Sequence, residues 1–315
     1  MTVRLSIAMG LVCLFAAPLY LIASCGSAFC PVDSHQQIEA QQTIIRMDYD
    51  YIDQSAVYVG KNRSYPGAIH QHHDEMQTVN QRYALSMHVP ISPIISLFAE
   101  CPFITRQHTH IHMHGGSPLF EKWNFTGLGD LTVGLEYDCL QRIVTPHDAL
   151  YLSAYLKCPT GVTRMTSAEN GEAEIAIQPG SGSYDTTWGM RYQQTDGIFP
   201  LFGSALYTCT GRGSDEWRFG NRWVITAGTT YPFTQVVTAG LQLNALIQDK
   251  AEAGTTKEDI NNTGGKWLFI SPGVDVALGN GYQGHLLLQI PIYRSVNGIQ
   301  LTSDLYAKAG LSLTL

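Results

Sequence analysis

The sequence predicts an all-β chain that closes into an antiparallel transmembrane barrel of about twelve strands. Three observations lead there. Apolar and polar residues alternate with period two along most of the chain, only 14% of residues are charged, and the connections between alternating segments are long and short by turns. Ordinary soluble domains carry roughly 25% charged residues. So few charges beside 44% hydrophobic residues point to a surface that faces something other than water. A net charge of −7 without clustered Lys and Arg argues against nucleic acid as a partner, since phosphates require clustered cations.

The chain begins MTVRLSIAMGLVCLFAAPLYLIASCGSAFC, with one basic residue (Arg4), an apolar run from Leu5 to Ala23, and then small residues. This is the layout of a bacterial secretory signal. A membrane anchor has similar length, but Pro18 interrupts the run. Two cleavage modes compete. Cleavage before Phe29 makes residues 1–28 the signal, whereas Ile22-Ala23-Ser24-Cys25 resembles a lipoprotein signal that removes residues 1–24 and lipidates Cys25. Residues 29–42 are then an N-terminal periplasmic segment and residues 43–315 the barrel. The seven cysteines show no regular spacing and no CxxC.

The alternation sets strands at 43–58, 77–89, 94–106, 127–138, 149–159, 185–194, 199–210, 221–231, 235–248, 266–278, 283–294 and 302–315. Successive strand side chains point to opposite faces. Tyr83, Leu85, Met87 and Val89 therefore share one face, as do Leu131, Val133, Leu135 and Tyr137, and Leu305, Ala307, Ala309, Leu311, Leu313 and Leu315. The connections 59–76, 107–126, 160–184 and 249–265 are long and fall on one side. Short turns such as Pro90-Ile91-Ser92-Pro93, Thr195-Asp196-Gly197 and Tyr231-Pro232-Phe233-Thr234 fall on the other. Outer-membrane barrels have this asymmetry, with long loops outside the cell.

The opposite faces carry Arg46, Asp48, Asp50, Arg82, Glu100, Asp130, Glu136, Lys157, Arg191, Arg222, Arg294, Asp304 and Lys308. A soluble sandwich would show these to solvent and bury the apolar faces. A membrane barrel puts the apolar faces in lipid and makes these charges line the lumen. Aromatics near strand ends, among them Tyr49, Trp123, Trp188, Trp223 and Tyr282, suit interfacial girdles. The terminal KAGLSLTL resembles the closing pattern of bacterial outer-membrane barrels at Lys308, Gly310, Leu313 and Leu315, with Leu where Phe is usual. That resemblance implies recognition by the barrel assembly machinery.

Four phrases, WNFTGLGDLTVGLEY (123–137), IQPGSGSYD (177–185), NTGGKWLFISPGV (262–274) and QIPIYRSVNGIQL (289–301), resemble the outer-membrane family labelled as phenol-degradation meta-pathway proteins and described as transporters. The resemblance implies a Gram-negative outer-membrane barrel that passes small, often aromatic or hydrophobic, compounds. It brings no functional residues with it. Pro291 within a strand would remove a ladder donor and so points to a bulge.

The stretch QHTHIHMHGG places His108, His110, His112 and His114 at alternate positions, and the preceding long loop carries His70, His72 and His73. In an extended segment alternate imidazoles point one way, about 7 Å apart, and two of them can share Zn or Cu. Without a thiolate pair or a fixed supporting shell, the alternative is a polar loop with no cofactor. If the strand continues past the membrane, these histidines instead line the entrance. His88, His147 and His285 stand singly and read as structural. Three function classes follow: a non-enzymatic channel for small solutes, a structural or metal-binding surface barrel, and a hydrolase at the rim. The last lacks a serine in a nucleophile context, Ser117 being a plain loop serine.

Overall fold

In this computed structural model the described residues are 22–23, 42–68, 75–114, 117–140, 147–166, 172–255 and 258–315. Apart from Ile22 and Ala23, the expected signal lies outside them, as do Cys25, most of segment 29–42 and His70, His72 and His73. Thirteen strands build the wall. They are β1 (Ile44–Val59), β2 (Glu75–Ser92), β3 (Ile95–His114), β4 (Ser117–Leu128), β5 (Thr132–Asp138), β6 (Asp148–Lys157) and β7 (Asp185–Gln194), followed by β8 (Leu201–Cys209), β9 (Arg222–Pro232), β10 (Val237–Gln248), β11 (Gly265–Gly279), β12 (Tyr282–Val296) and β13 (Ile299–Thr314). Two short pairings lie outside this series: Asn62–Arg63 on β1, and Ile22–Ala23 parallel to Glu258–Asp259.

All wall pairings are antiparallel, and β13 pairs with β1, so the sheet closes on itself. Closure of last strand on first leaves no free edge strand, as a membrane-spanning sheet requires. β4 and β5 share one place in the wall: β5 pairs with Ile95–Glu100 of β3, and β4 with Phe103–His114. Thirteen strands thus make a closed barrel of twelve wall positions. No helix among the described residues is long and apolar enough to cross a membrane.

The outer face follows the alternation. Leu85, Leu135, Ile225, Leu243 and Leu311 project from it, and Trp188 is 60% exposed. Such a continuous apolar surface is stable against lipid and not against water.

The structure corrects the expected loop at 107–126. β3 continues to His114 and β4 begins at Ser117, so this stretch is a strand hairpin, and the expected strand 127–138 divides at Gly129–Leu131. Pro102 gives the physical reason. It cannot donate to the ladder, and it stands between the two segments of β3 that pair with β5 and with β4. Its carbonyl accepts from Gly129 N at 2.9 Å, where the chain turns. At Pro291 the β11–β12 ladder slips, pairing Phe269 with Pro291 and Leu268 with Tyr293, so Ile292 is an extra residue. The β12–β13 ladder ends at Gln289–Tyr306, short of that bulge.

Candidate functional site

The inner face gathers charges from strands far apart in sequence. Lys308 Nζ on β13 lies 3.4 Å from Asp48 Oδ2 and 3.7 Å from Asp50 Oδ1 on β1, as closure of last strand on first requires. Arg82 Nη1 donates to Asp50 Oδ2 at 2.7 Å, and its other amine pairs with Glu100. Glu136 accepts from Arg191 Nη2 at 2.9 Å, lies 3.2 Å from His88 Nε2, and also accepts from the Tyr155 hydroxyl. Lys157 Nζ lies 2.8 Å from Asp185 Oδ2 and 3.2 Å from Asp130 Oδ2. Charges held this far from bulk water must be paired or hydrogen-bonded, because desolvation of a lone ion costs several kcal/mol.

The described parts of the long connection, residues 158–166 and 172–184, fold into the lumen instead of rising from it. Its 3-10 turn at Ile175–Ile177 is buried, and Ala173 and Ile177 pack on Phe125 of β4 beside Trp123. Arg106 of β3 holds this loop, its Nη1 donating to the carbonyls of Ala176 at 3.0 Å and Gln178 at 3.3 Å. Asp130 holds it a second time, accepting from Gly161 N and Ser181 N, each at 2.9 Å. The two limbs of the loop touch where Gly161 meets Gly180: a Cβ added at Gly180 would lie 2.6 Å from Gly161 C, so only glycine fits.

Beneath this loop lies a cavity of about 480 Å³. Of the charged residues expected in a lumen, Arg46, Asp48, Asp50, Arg82, Glu100, Asp130, Glu136, Lys157, Arg191, Arg222 and Lys308 line it. Between them stand Ile44, Ile52, Phe98, Pro102, Ile104 and Leu206, with Pro179 from the loop. Arg294 and Asp304 sit elsewhere. They pair with each other at 2.7 Å at the long-loop end, Asp304 being the unpaired residue of a bulge in the β13–β1 ladder.

His108 and His110 are buried on β3, on the same side of the strand as Arg106. His108 Nδ1 shares a hydrogen bond with Thr78 Oγ1 at 2.8 Å, and His110 Nε2 lies 3.1 Å from Glu121 Oε2. Their rings are 5.1 Å apart, and Trp123 meets the His110 ring edge-on at 4.4 Å. Trp123 is therefore packed on the histidines and not held in an interfacial girdle. No group of three or more His, Cys, Asp or Glu among the described residues is arranged to hold a metal ion. His112 and His114 continue the same strand, but their side chains lie outside the described residues.

Sequence reasoning set Arg106 at a strand end and did not place it in the lumen. Its parity with Glu100 on one strand was the available signal. His88 and His285, which read as isolated, are partners of Glu136 and Asp48.

A closed antiparallel barrel with an apolar outer face and a charged lumen narrowed by an inserted loop defines the class of outer-membrane β-barrel folds. The chain belongs to the family described as "Putative MetA-pathway of phenol degradation", whose profile matches residues 66–299. Among solved structures it is similar to an outer membrane channel from Pseudomonas putida F1, with TM-score 0.67 and 11% identity over 90% of this chain and 99% of that one. The Ralstonia pickettii toluene transporter TbuX is similar at TM-score 0.46 and 9% identity over 87% of this chain and 89% of that one. The β domain of the Bordetella autotransporter BrkA is similar at TM-score 0.48 and 11% identity over 87% of this chain and all of that one. No curated protein matches the sequence.

Proposed function

We propose that the chain is a channel in the outer membrane of a Gram-negative bacterium and passes small apolar or aromatic solutes through its lumen. The observation that supports this most directly is the roofed cavity. A lumen narrowed by residues 172–183 does not suit large hydrated solutes, while Phe98, Ile104, Ile52 and Leu206 offer apolar surface to a solute as small as one aromatic ring. The family description and the apolar outer face agree with this reading. The long-loop end then faces outward and the short-turn end the periplasm. Lys308, Gly310, Leu313 and Leu315 serve as the signal read by the barrel assembly machinery, and the first residues of the chain as the export signal.

The test is influx into proteoliposomes of benzamide against a sugar alcohol of similar mass. The reading expects the aromatic amide to enter faster than in protein-free liposomes, and by a larger factor than the sugar alcohol. Equal enhancement of both would make the barrel a general diffusion pore, and no enhancement of either would remove the channel reading.

A further inference from the structure

We propose that the cavity takes a small aromatic or otherwise apolar organic anion, and that Arg106 engages its carboxylate. The proposal rests on the channel reading and names the class of solute for that same site.

Two independent observations carry it. The first is a charge count: seven Arg and Lys side chains against five Asp and Glu line the cavity, an excess of two positive charges in a chain whose net charge is −7. The acidic surplus of the chain therefore lies outside this cavity lining, although Asp185 just beyond it also pairs with Lys157. A cavity of one sign with low-dielectric walls concentrates solutes of the other sign.

The second is the environment of Arg106. The residue is 6% exposed and lines the cavity next to the inserted loop. Its guanidinium donates to three neutral oxygens: the Asn80 side-chain carbonyl and the main-chain carbonyls of Ala176 and Gln178. Among the described residues no carboxylate pairs with it. Arg82, Lys157, Arg191 and Lys308 on the same inner face each meet at least one carboxylate. A guanidinium has five donors in a planar fork that matches a carboxylate, and such charge-assisted bonds are roughly twice as strong as those to neutral acceptors. Arg106 is thus a buried cation of the cavity wall whose charge meets only neutral acceptors, and it gains from an incoming anion. Ile104 and Pro102 follow it at alternate positions along β3 and also line the cavity, ahead of Glu100 and Phe98, so a carboxylate held at Arg106 leaves its apolar body beside Ile104 and Pro102.

Three solutes of one shape test this: benzoate, benzamide and benzamidinium, carrying charges of −1, 0 and +1. Their influx is compared in proteoliposomes holding the full mature barrel, as wild type, R106Q and R106K. The readout is the benzoate-to-benzamide ratio within each protein, so a general change in flux cancels. Wild type should favour benzoate, with about a tenfold spread between benzoate and benzamidinium, equivalent to ~1.4 kcal/mol. R106Q should bring the benzoate-to-benzamide ratio close to one, and R106K should keep part of it. Benzamide influx with no preference for benzoate would overturn the anion assignment and leave the channel reading standing. An unchanged ratio in R106Q would overturn Arg106 as the anchor. Influx of none of the three would overturn both. Should neither variant form a heat-modifiable barrel, the reversal potential of wild type in a KCl gradient decides: anion selectivity supports the proposal and cation selectivity overturns it.

Discussion

Asp48 on β1 and His285 on β12 meet at 3.0 Å although β13 runs between their strands. The residue of β13 in register with both is Gly310. A Cβ there would lie 2.3 Å from Asp48 Oδ1 and 2.4 Å from His285 Cε1. The glycine of the closing pattern is therefore also the gap through which this carboxylate–imidazole contact crosses the barrel seam.

Gly310→Ala should push the two side chains apart and leave a buried carboxylate with a weaker partner. The expected loss is about 1–3 kcal/mol of barrel stability. Heat modifiability on gels, read as the temperature at which the compact band disappears, checks it. An unchanged midpoint would mean that the seam has room to yield.

Removal of residues 311–315 should act earlier, on assembly. It deletes the pairs Leu311–Met47, Ser312–Arg46, Leu313–Ile45 and Thr314–Ile44, which close the short-turn end of the β13–β1 seam. Leu315→Asp should have the same direction of effect, because Leu315 is exposed on the outer face and its amide donates to Thr43 O at 2.9 Å. Membrane fractions should contain little heat-modifiable protein. Normal amounts of inserted barrel from the truncated chain would contradict both the seam and the assembly signal.

How much of this was legible in the sequence differs by element, and lipid is the reason. A strand with lipid on one face and paired charges on the other must alternate strongly, so β7 was expected at 185–194 and is found there. The β3–β4 hairpin was hidden because Thr105, Gln107 and Thr109 are polar at the parity opposite the buried Arg106, His108 and His110, so the stretch lacks the contrast that marks a membrane strand. The inserted loop left only a faint sign, the closely spaced Ile175 and Ile177 in a mostly polar connection, and nothing in the spacing says that such a loop turns inward. Arg294 and Asp304, expected in the lumen, do not line the cavity, and Asp304 is the extra residue of a bulge, with its side chain half exposed.

The alternating histidines should prove structural at the two described positions. His110→Ala removes the ring between Glu121 and Trp123, and is expected to destabilise the hairpin by about 1–3 kcal/mol, the cost of leaving a buried acceptor short of a partner. Zn²⁺ should leave the melting temperature of wild type unchanged. A saturable rise with Zn²⁺ that H110A abolishes would instead assign the histidines to a metal.

The inserted loop should set the conductance of the channel, and Ile177 is the residue with which to ask. Its side chain is fully buried against Phe125 and Ala173, so its contribution is hydrophobic burial, roughly 1.5–3 kcal/mol for a side chain of this size. The polar ties at Arg106 and Asp130 bind the loop through backbone groups and remain chemically intact when Ile177 changes. Ile177→Asp would place a carboxylate against Phe125, where no water can solvate it, and the loop escapes that penalty by leaving the wall. The wall itself pairs strand to strand without this loop, so the barrel should still form. Planar-bilayer recordings of I177D should show a several-fold higher single-channel conductance than wild type, with more frequent switching between levels. I177V, which removes one methylene, should stay close to wild type and control for the substitution itself. A folded I177D barrel with wild-type conductance would show that the narrowest point of the path lies below the loop, among the charges of Asp50, Arg82 and Glu136.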